Sequence, residues 1–320
     1  WDTPQTITIT GVDDDIIDGT VTSTITISVV DASSNDNFDS VADQTLSATT
    51  TDDDVAGFTI VESDGSTEVD ESGTTDTFTV VLDAEPNSDV VLTISSDDTG
   101  EATVTNALTF SSANWDTPQT ITITGADESI LDGNQDTTIT VTIDDANSDN
   151  NFDSVADQTI SATTTDDDVA GFTIVESDGS TEVAESGTTD TFTIVLDAQP
   201  TSDVVMSVSS SDTAETTATN TLTFTSTNWD TPQTVTVTGV DDDIIDGTIT
   251  STITVAIIDA NSDDDFDSVA NETVSATTTD DDVAGFTIVE TDGSTEVDES
   301  GTTDTFTVVL DAQPASDVVL

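Results

Sequence analysis

The sequence predicts an all-β chain of antiparallel sandwich modules in tandem, and three observations predict it. Blocks of sequence return at a fixed interval: "NWDTPQT" begins at Asn114 and Asn228, and "VAGFTIVE" at Val55, Val169 and Val283, which sets a repeat of 114 residues. Within a repeat, apolar residues alternate with Thr and Ser in short runs, the period of half-buried strands. No stretch of helical periodicity interrupts them. A unit this long is a whole domain rather than one turn of a solenoid.

Cutting after each acidic triplet divides the chain into the C-terminal part of a repeat (1–54), two full modules (55–168 and 169–282) and the N-terminal part of another (283–320). The first full module reads "GFTIVE", "DTFTVVLD" with Phe78, Val80 and Leu82 on one face, "DVVLTIS", and "ALTF". "QTITITG" follows, with Ile121 and Ile123 inward and Thr120, Thr122 and Thr124 outward, then "TTITVTID" and "DQTISATTT". These seven runs, strands A to G, are separated by turn residues, which describes a sandwich of immunoglobulin-like type. Phe58, Phe78, Phe110, Phe152 and Trp115 supply an aromatic core. Because the chain opens and closes in mid-repeat, it reads as an excerpt from a longer array.

The 320 residues include 68 acidic ones and no Lys, Arg or His, a formal charge of -68. No ion pair with a side-chain cation can form, so the compensating charge has to come from solution. Nucleic acid and anionic membrane are excluded as partners by repulsion. Such acidity also marks disordered chains, but the alternating apolar runs are what solvated acidic tails lack. The chain has no Cys, so no disulfide or thiolate site staples a module. No apolar run approaches the roughly 18 residues of a membrane helix, and no membrane insertion is expected. Catalysis is not expected either: without His, Cys, Lys, Arg or Tyr, the remaining acid-base chemistry is a carboxylate pair, which needs a dedicated cleft.

If strands A to G alternate in direction, every second loop falls at one pole. That pole collects the A-B loop with Asp64, Glu68, Asp70 and Glu71, and the C-D loop with Asp97, Asp98 and Glu101. It also takes the E-F loop "GADESILDG" and the closing triplet, and it is where the next module begins. Many oxygen ligands without nitrogen or sulfur suit Ca2+ better than Zn2+ or Cu2+, and Mg2+ keeps more of its own water. The triplets Asp52, Asp53, Asp54 and their two later copies are therefore expected to chelate Ca2+ at module ends. The plainer alternative is a solvated acidic turn.

The corner "VDESG", the strand pair "LTF" and "TITITG", the acidic E-F loop and the terminal "TTTDDD" resemble the Calx-beta domain. That family is a calcium-binding sandwich found in sodium-calcium exchangers, an integrin subunit and long arrays of bacterial surface proteins and adhesins. The resemblance implies Ca2+ ligands at Glu71, Asp98, Asp127, Glu128, Asp166, Asp167 and Asp168 in the first full module. In the second it implies Glu185, Asp212, Asp241, Asp242, Asp280, Asp281 and Asp282. The chain departs from the family before strand D, where it has "DTGEATVTNALTF" and no Tyr, so Asp98 and Asp212 are the least anchored of these residues.

"DDANSDNNFDS" at 144–154 spaces Asp145, Asn147, Asp149, Asn151 and Asp153 alternately but lacks the Gly of a calcium loop, so a polar F-G loop at the opposite pole is the preferred reading. From there it faces the preceding module's acidic end. Trp115 and Trp229 are expected to cover core ends rather than stack on glycans. The resulting expectation is an extracellular structural repeat region of a bacterial adhesin or surface fibre, stiffened by calcium and partnered by neighbouring repeats. The alternatives are a subunit of a non-covalent filament of identical chains and a glycan-binding module.

Overall fold

The computed structural model describes residues 1–320 except Asn106 and Ala315. The chain forms two compact units, one of residues 1–128 with 133–167 and the other of residues 129–132 with 168–320. Each contains one full repeat and one partial repeat.

In the first unit the partial repeat contributes β1 (Val21–Ile27) and β2 (Gln44–Thr50), an antiparallel pair. The full repeat follows with β3 (Phe58–Glu62), β4 (Thr67–Asp70), β5 (Thr75–Leu82), β6 (Val90–Ser96), β7 (Ala102–Val104), β8 (Ala107–Phe110), β9 (Gln119–Gly125), β10 (Gln135–Ile143) and β11 (Gln158–Thr165). The second unit repeats the set as β12 (Phe172–Glu176), β13 (Thr181–Ala184), β14 (Thr189–Leu196), β15 (Val204–Ser210), β16 (Thr216–Ala218), β17 (Thr221–Phe224), β18 (Gln233–Gly239), β19 (Ile249–Ile257) and β20 (Glu272–Thr279). It ends with the pair β21 (Phe286–Glu290) and β22 (Phe306–Leu310).

Each full repeat is a two-sheet sandwich. One sheet has the order β12-β14-β18-β16 and the other β13-β20-β19-β15-β17, matched in the first unit by β3-β5-β9-β7 and β4-β11-β10-β6-β8. All seven expected strands are present, and two more appear. Strand A is broken: after β12 the chain turns and crosses to the other sheet as β13, which pairs in parallel with β20 through Thr181↔Ala276 to Ala184↔Thr279. The sandwich is antiparallel as expected, apart from this one parallel pair in each repeat. The second addition, β16, is three residues hydrogen-bonded to the end of β18. Both are short, four and three residues, and neither was expected from the sequence.

The period-two pattern sets the core. On β14, Phe192, Ile194 and Leu196 are buried while Thr191 and Thr193 lie outside, across from Thr236 and Thr234 of β18. Phe224, Phe266, Val235, Val237, Ile253 and Val255 complete the interior, and Trp229 packs half-buried against its edge. Trp115 does the same in the first unit, the placement expected of it.

The F-G connection folds back as two 3-10 turns, Asp259–Asn261 and Asp264–Phe266, with Phe266 plugged into the core. Between them, the buried carboxylate of Asp263 accepts from the Ser202 amide at 2.7 Å, the Thr201 hydroxyl at 2.8 Å and the Asp265 amide at 3.2 Å. Burial alone would raise its pKa, but these hydrogen bonds outweigh burial and hold it below the usual range. Asp149 occupies the same position in the first unit, accepting from the amides of Ser88 and Asn151. One acid of this loop, Asp149 or its counterpart Asp263, thus acts as a cap that ties it to the B-C turn.

Truncating the central Phe192 to Ala should remove about 3–5 kcal/mol of stability. The outward change Thr234→Ala should stay within about 0.5 kcal/mol. Urea unfolding of both variants checks the assignment of faces.

Candidate metal centre

Four loops meet at one end of the second-unit sandwich. The corner after β13 supplies Glu185, held by its amide on the carbonyl of Thr279 at 3.1 Å. This corner approaches β18 so closely that a Cβ on Gly239 would lie 2.1 Å from the carbonyl oxygen of Ala184. Only glycine fits there, and the approach is what carries the Glu185 side chain inward. The turn before β16 supplies Glu215. The E-F loop supplies Asp246, and the triplet after β20 supplies Asp280 and Asp282.

The carboxylates form two sets that share Glu185. Glu185, Asp280 and Asp282 each offer an oxygen, all within 4.8 Å of one another, and so do Glu185, Glu215 and Asp246. Ligands on opposite sides of a Ca2+ ion at about 2.4 Å are about 4.8 Å apart, so either set can close around one cation. Glu185 has no solvent exposure, and among the described residues neither of its carboxylate oxygens has a hydrogen-bond partner. One oxygen of Glu215 and one of Asp282 are in the same condition.

This arrangement is electrostatically adverse without a cation. Burial first, then the charges of Asp280, Asp242, Glu215 and Asp246, push the Glu185 pKa up to about 7. Glu215 is raised by burial and by Asp246, Asp212, Asp242 and Asp280. Asp280 is lowered, because its carboxylate accepts from the amides of Gly247 and Asp282 at 2.8 and 2.7 Å. Buried oxygen donors, no nitrogen or sulfur ligand and no protein cation together fit a hard divalent ion.

The first unit brings together a similar but not identical set: Glu71 and Glu101 correspond to Glu185 and Glu215, while Glu128 occupies the position of Asp242. Glu71, Glu101 and Glu128 offer oxygens within 4.8 Å of one another. Burial, then Asp166, push the Glu71 pKa up to about 7; the Asp167 amide partly offsets this, and Glu101 and Glu128 add to the rise. Asp166 accepts from the Gly133 amide at 2.7 Å. In the partial repeat, Asp52 makes the same cap on Gly19 at 2.6 Å, while burial and neighbouring acids raise Asp54.

Several residues expected at the site stand outside it. The C-D ligands Asp98 and Asp212 are exposed: their carboxylates accept from the amides of Gly100 and Ala214, and each forms the turn that aims the next Glu inward. The buried acids of this loop are Glu101 and Glu215. Asp127 and Asp241 are exposed, whereas the following Glu128 and Asp242 turn partly inward. The middle residues of the triplets, Asp53, Asp167 and Asp281, are exposed, because residues alternate in direction in extended chain. Asp168 lies in the second unit, half-buried like Asp282. Asp246 was not among the expected ligands; the signal for it is an Asp-Gly pair that closes every E-F loop.

No known family's sequence profile matches the chain, and no curated protein matches it. Among solved structures, the chain is similar to CBD12 from CALX1.2 at 15% identity over 62% of this chain and 79% of that one, with a TM-score of 0.26. Domains 4 and 5 of the S-layer protein SbsC match at 18% identity over 59% and 76%, with a TM-score of 0.28. The apo form of Calx CBD1 matches at 14% identity over 35% and 98%, with a TM-score of 0.26. No ligand is transferred from these likenesses, and the site rests on its own geometry.

Two expectations follow from this geometry. In chelator, the folded protein binds the Glu185 proton more tightly than the unfolded chain does, so stability falls as pH rises from about 4.5 to about 7. Melting temperatures should therefore be lower at pH 8 than at pH 5.5, and Glu185→Gln should narrow the gap; a melting temperature that climbs with pH would contradict this burial. Separately, Gly239→Ala should cost about 1–3 kcal/mol and weaken divalent-ion binding, measured by urea unfolding and by titration.

Proposed function

We propose that this chain is a calcium-binding repeat region of an extracellular surface fibre or adhesin, of Calx-beta type, with Ca2+ held at the acidic end of each sandwich. The observation that carries the reading is Glu185: fully buried, without a partner among the described residues for either oxygen, and common to two carboxylate sets in a chain with no cationic side chain. Above the raised pKa, where protonation no longer relieves it, a bound cation relieves such an arrangement without unburying it.

Its task is mechanical rather than catalytic. Strands of seven to nine residues at about 3.3 Å each make a body roughly 25 Å tall, so an array of repeats projects whatever it carries far from its anchor. The charge keeps calcium-free chains expanded and soluble, and millimolar calcium outside the cell completes the fold. The absence of Lys and Arg removes every trypsin-type cleavage site from an exposed fibre.

The test is calorimetric titration of Ca2+ into the chelator-treated 320-residue chain, with thermal melts in Ca2+, Mg2+ and KCl. Saturable binding with a Ca2+-specific rise in melting temperature is expected, and Glu185→Gln should weaken binding at its site at least tenfold, about 1.4 kcal/mol. No binding, with equal stabilisation by KCl, would identify a salt-adapted acidic sandwich and overturn the reading.

A further inference from the structure

An Asp followed by Gly is open to attack by its own main chain, because glycine has no Cβ to keep the amide nitrogen away from the preceding carboxyl carbon. The chain has six Asp-Gly pairs and no Asn-Gly pair. Asp18-Gly19, Asp132-Gly133 and Asp246-Gly247 close the E-F loops, whereas Asp64-Gly65, Asp178-Gly179 and Asp292-Gly293 lie in the turns after β3, β12 and β21. All six glycines have positive φ, between 71° and 89°, and a Cβ on any of them would meet no atom within 4 Å. Neither crowding nor backbone conformation separates the two groups.

Hydrogen bonding does. In the E-F loops the glycine amide donates to the first acid of the closing triplet: Gly19 to Asp52 at 2.6 Å, Gly133 to Asp166 at 2.7 Å and Gly247 to Asp280 at 2.8 Å. An amide held by another carboxylate cannot swing onto its own neighbour's carboxyl carbon without breaking that bond. In the other three turns the amides of Gly65, Gly179 and Gly293 have no acceptor among the described residues, and the carboxylates of Asp64, Asp178 and Asp292 have no donor. Both members of each of these pairs are exposed.

These turns are pinned at their flanks and free at their tips. The Ser177 amide and hydroxyl donate to the carbonyl of Thr191 at 3.2 and 2.7 Å, and the Ser180 hydroxyl donates to Glu182 at 3.4 Å. Ser63 and Ser66 make the same bonds in the first unit. Because β12 ends at Glu176 and β13 begins at Thr181, Asp178 and Gly179 can rotate without disturbing either strand.

We infer that the Asp-Gly turns inside the broken strand A are sites of spontaneous isoaspartate formation, and that the acidic triplets suppress the same reaction in the E-F loops. The Gly179 nitrogen bonds to Cγ of Asp178, and the carboxyl OH departs with the amide proton as water, leaving a cyclic imide. Water then adds across one of the two imide C–N bonds. Cleavage on the side-chain side restores Asp178; cleavage on the main-chain side gives isoaspartate, of unchanged composition but with one more methylene in the main chain. Water is the sole co-reactant. The added methylene enters the turn through which strand A crosses to pair with β20.

The test incubates the folded 320-residue chain, verified by circular dichroism, in heavy-oxygen water at mildly acidic pH, beside a sample in urea. Mass shifts and electron-transfer fragmentation of chymotryptic peptides then locate the isoaspartate. In the folded chain Asp64, Asp178 and Asp292 should convert about tenfold or more faster than Asp18, Asp132 and Asp246, since the latter react only after a charge-assisted hydrogen bond opens. In urea all six should convert at similar rates. Asp178→Glu, which would need a slower six-membered ring, should abolish the signal at that turn alone. Asp52→Ala and Asp280→Ala, which free the Gly19 and Gly247 amides, should bring Asp18 and Asp246 up to the rate of the open turns while Asp178 keeps its own. Equal conversion of the two groups in the folded chain, or none at the open turns while the urea sample converts, would overturn the inference; unchanged rates at Asp18 and Asp246 in both variants would overturn the protective role of the triplets.

Discussion

The structure depends on one electrostatic constraint: it buries carboxylates in a chain that contains no positive side chain. Two carboxylates 4.8 Å apart at an effective dielectric of about 20 repel by about 3 kcal/mol, and Glu185 sits within that distance of four others. Raising one pKa to about 7 relieves part of the repulsion by protonation. Above that pH, relief has to come from outside the chain. The pole of the sandwich is in this sense an unfinished part of the fold.

The remainder of each repeat is built to hold that pole together. The break in strand A moves β13 onto the second sheet and ends it where Glu185 turns in, and the glycine at the end of β18 removes the Cβ that would stand in its way. The turn before β16 is shaped by Asp212, which spends its own carboxylate on an amide so that Glu215 points inward. At the far pole the acids have the opposite fate. Asp263 is as buried as Glu215, yet three donors satisfy it and keep it ionised. Equal burial therefore gives a capping residue at one end and a candidate ligand at the other, and the difference lies wholly in the hydrogen-bond donors within reach.

The acidic loops also join neighbouring repeats within each unit. An Ile-Ile or Ile-Leu pair inside a run of acids is an unusual place for apolar side chains, and its position is explained by the β-bridge that Ile16, Ile130 and Ile244 make to Glu85, Gln199 and Gln313 in the following turn. In one repeat the side-chain amides of Asn87 and Asn151 strengthen this contact by donating to the carbonyl of Ile17. Their counterparts Thr201 and Asp265 do not repeat the clamp, since the Thr201 hydroxyl is committed to Asp263 and Asp265 is a carboxylate without a donor.

The sequence by itself determined the period of 114 residues, the seven main strands, the inward and outward faces and the sign of the chain's charge, because alternation and charge are local properties that survive without coordinates. It also determined which pole gathers acids, since strand parity needs only a count. The tertiary structure decided which acids matter. Asp98 and Glu101 lie three residues apart in one loop, and the direction of the turn between them makes one a cap and the other a buried acid. Asp281 and Asp282 are adjacent, and extended geometry sends them to opposite sides. The parallel pairing of β13 with β20 and the bridge from Ile244 to Gln313 join residues distant in sequence. Such contacts are set by how sheets stack and loops approach, which a one-dimensional pattern does not encode.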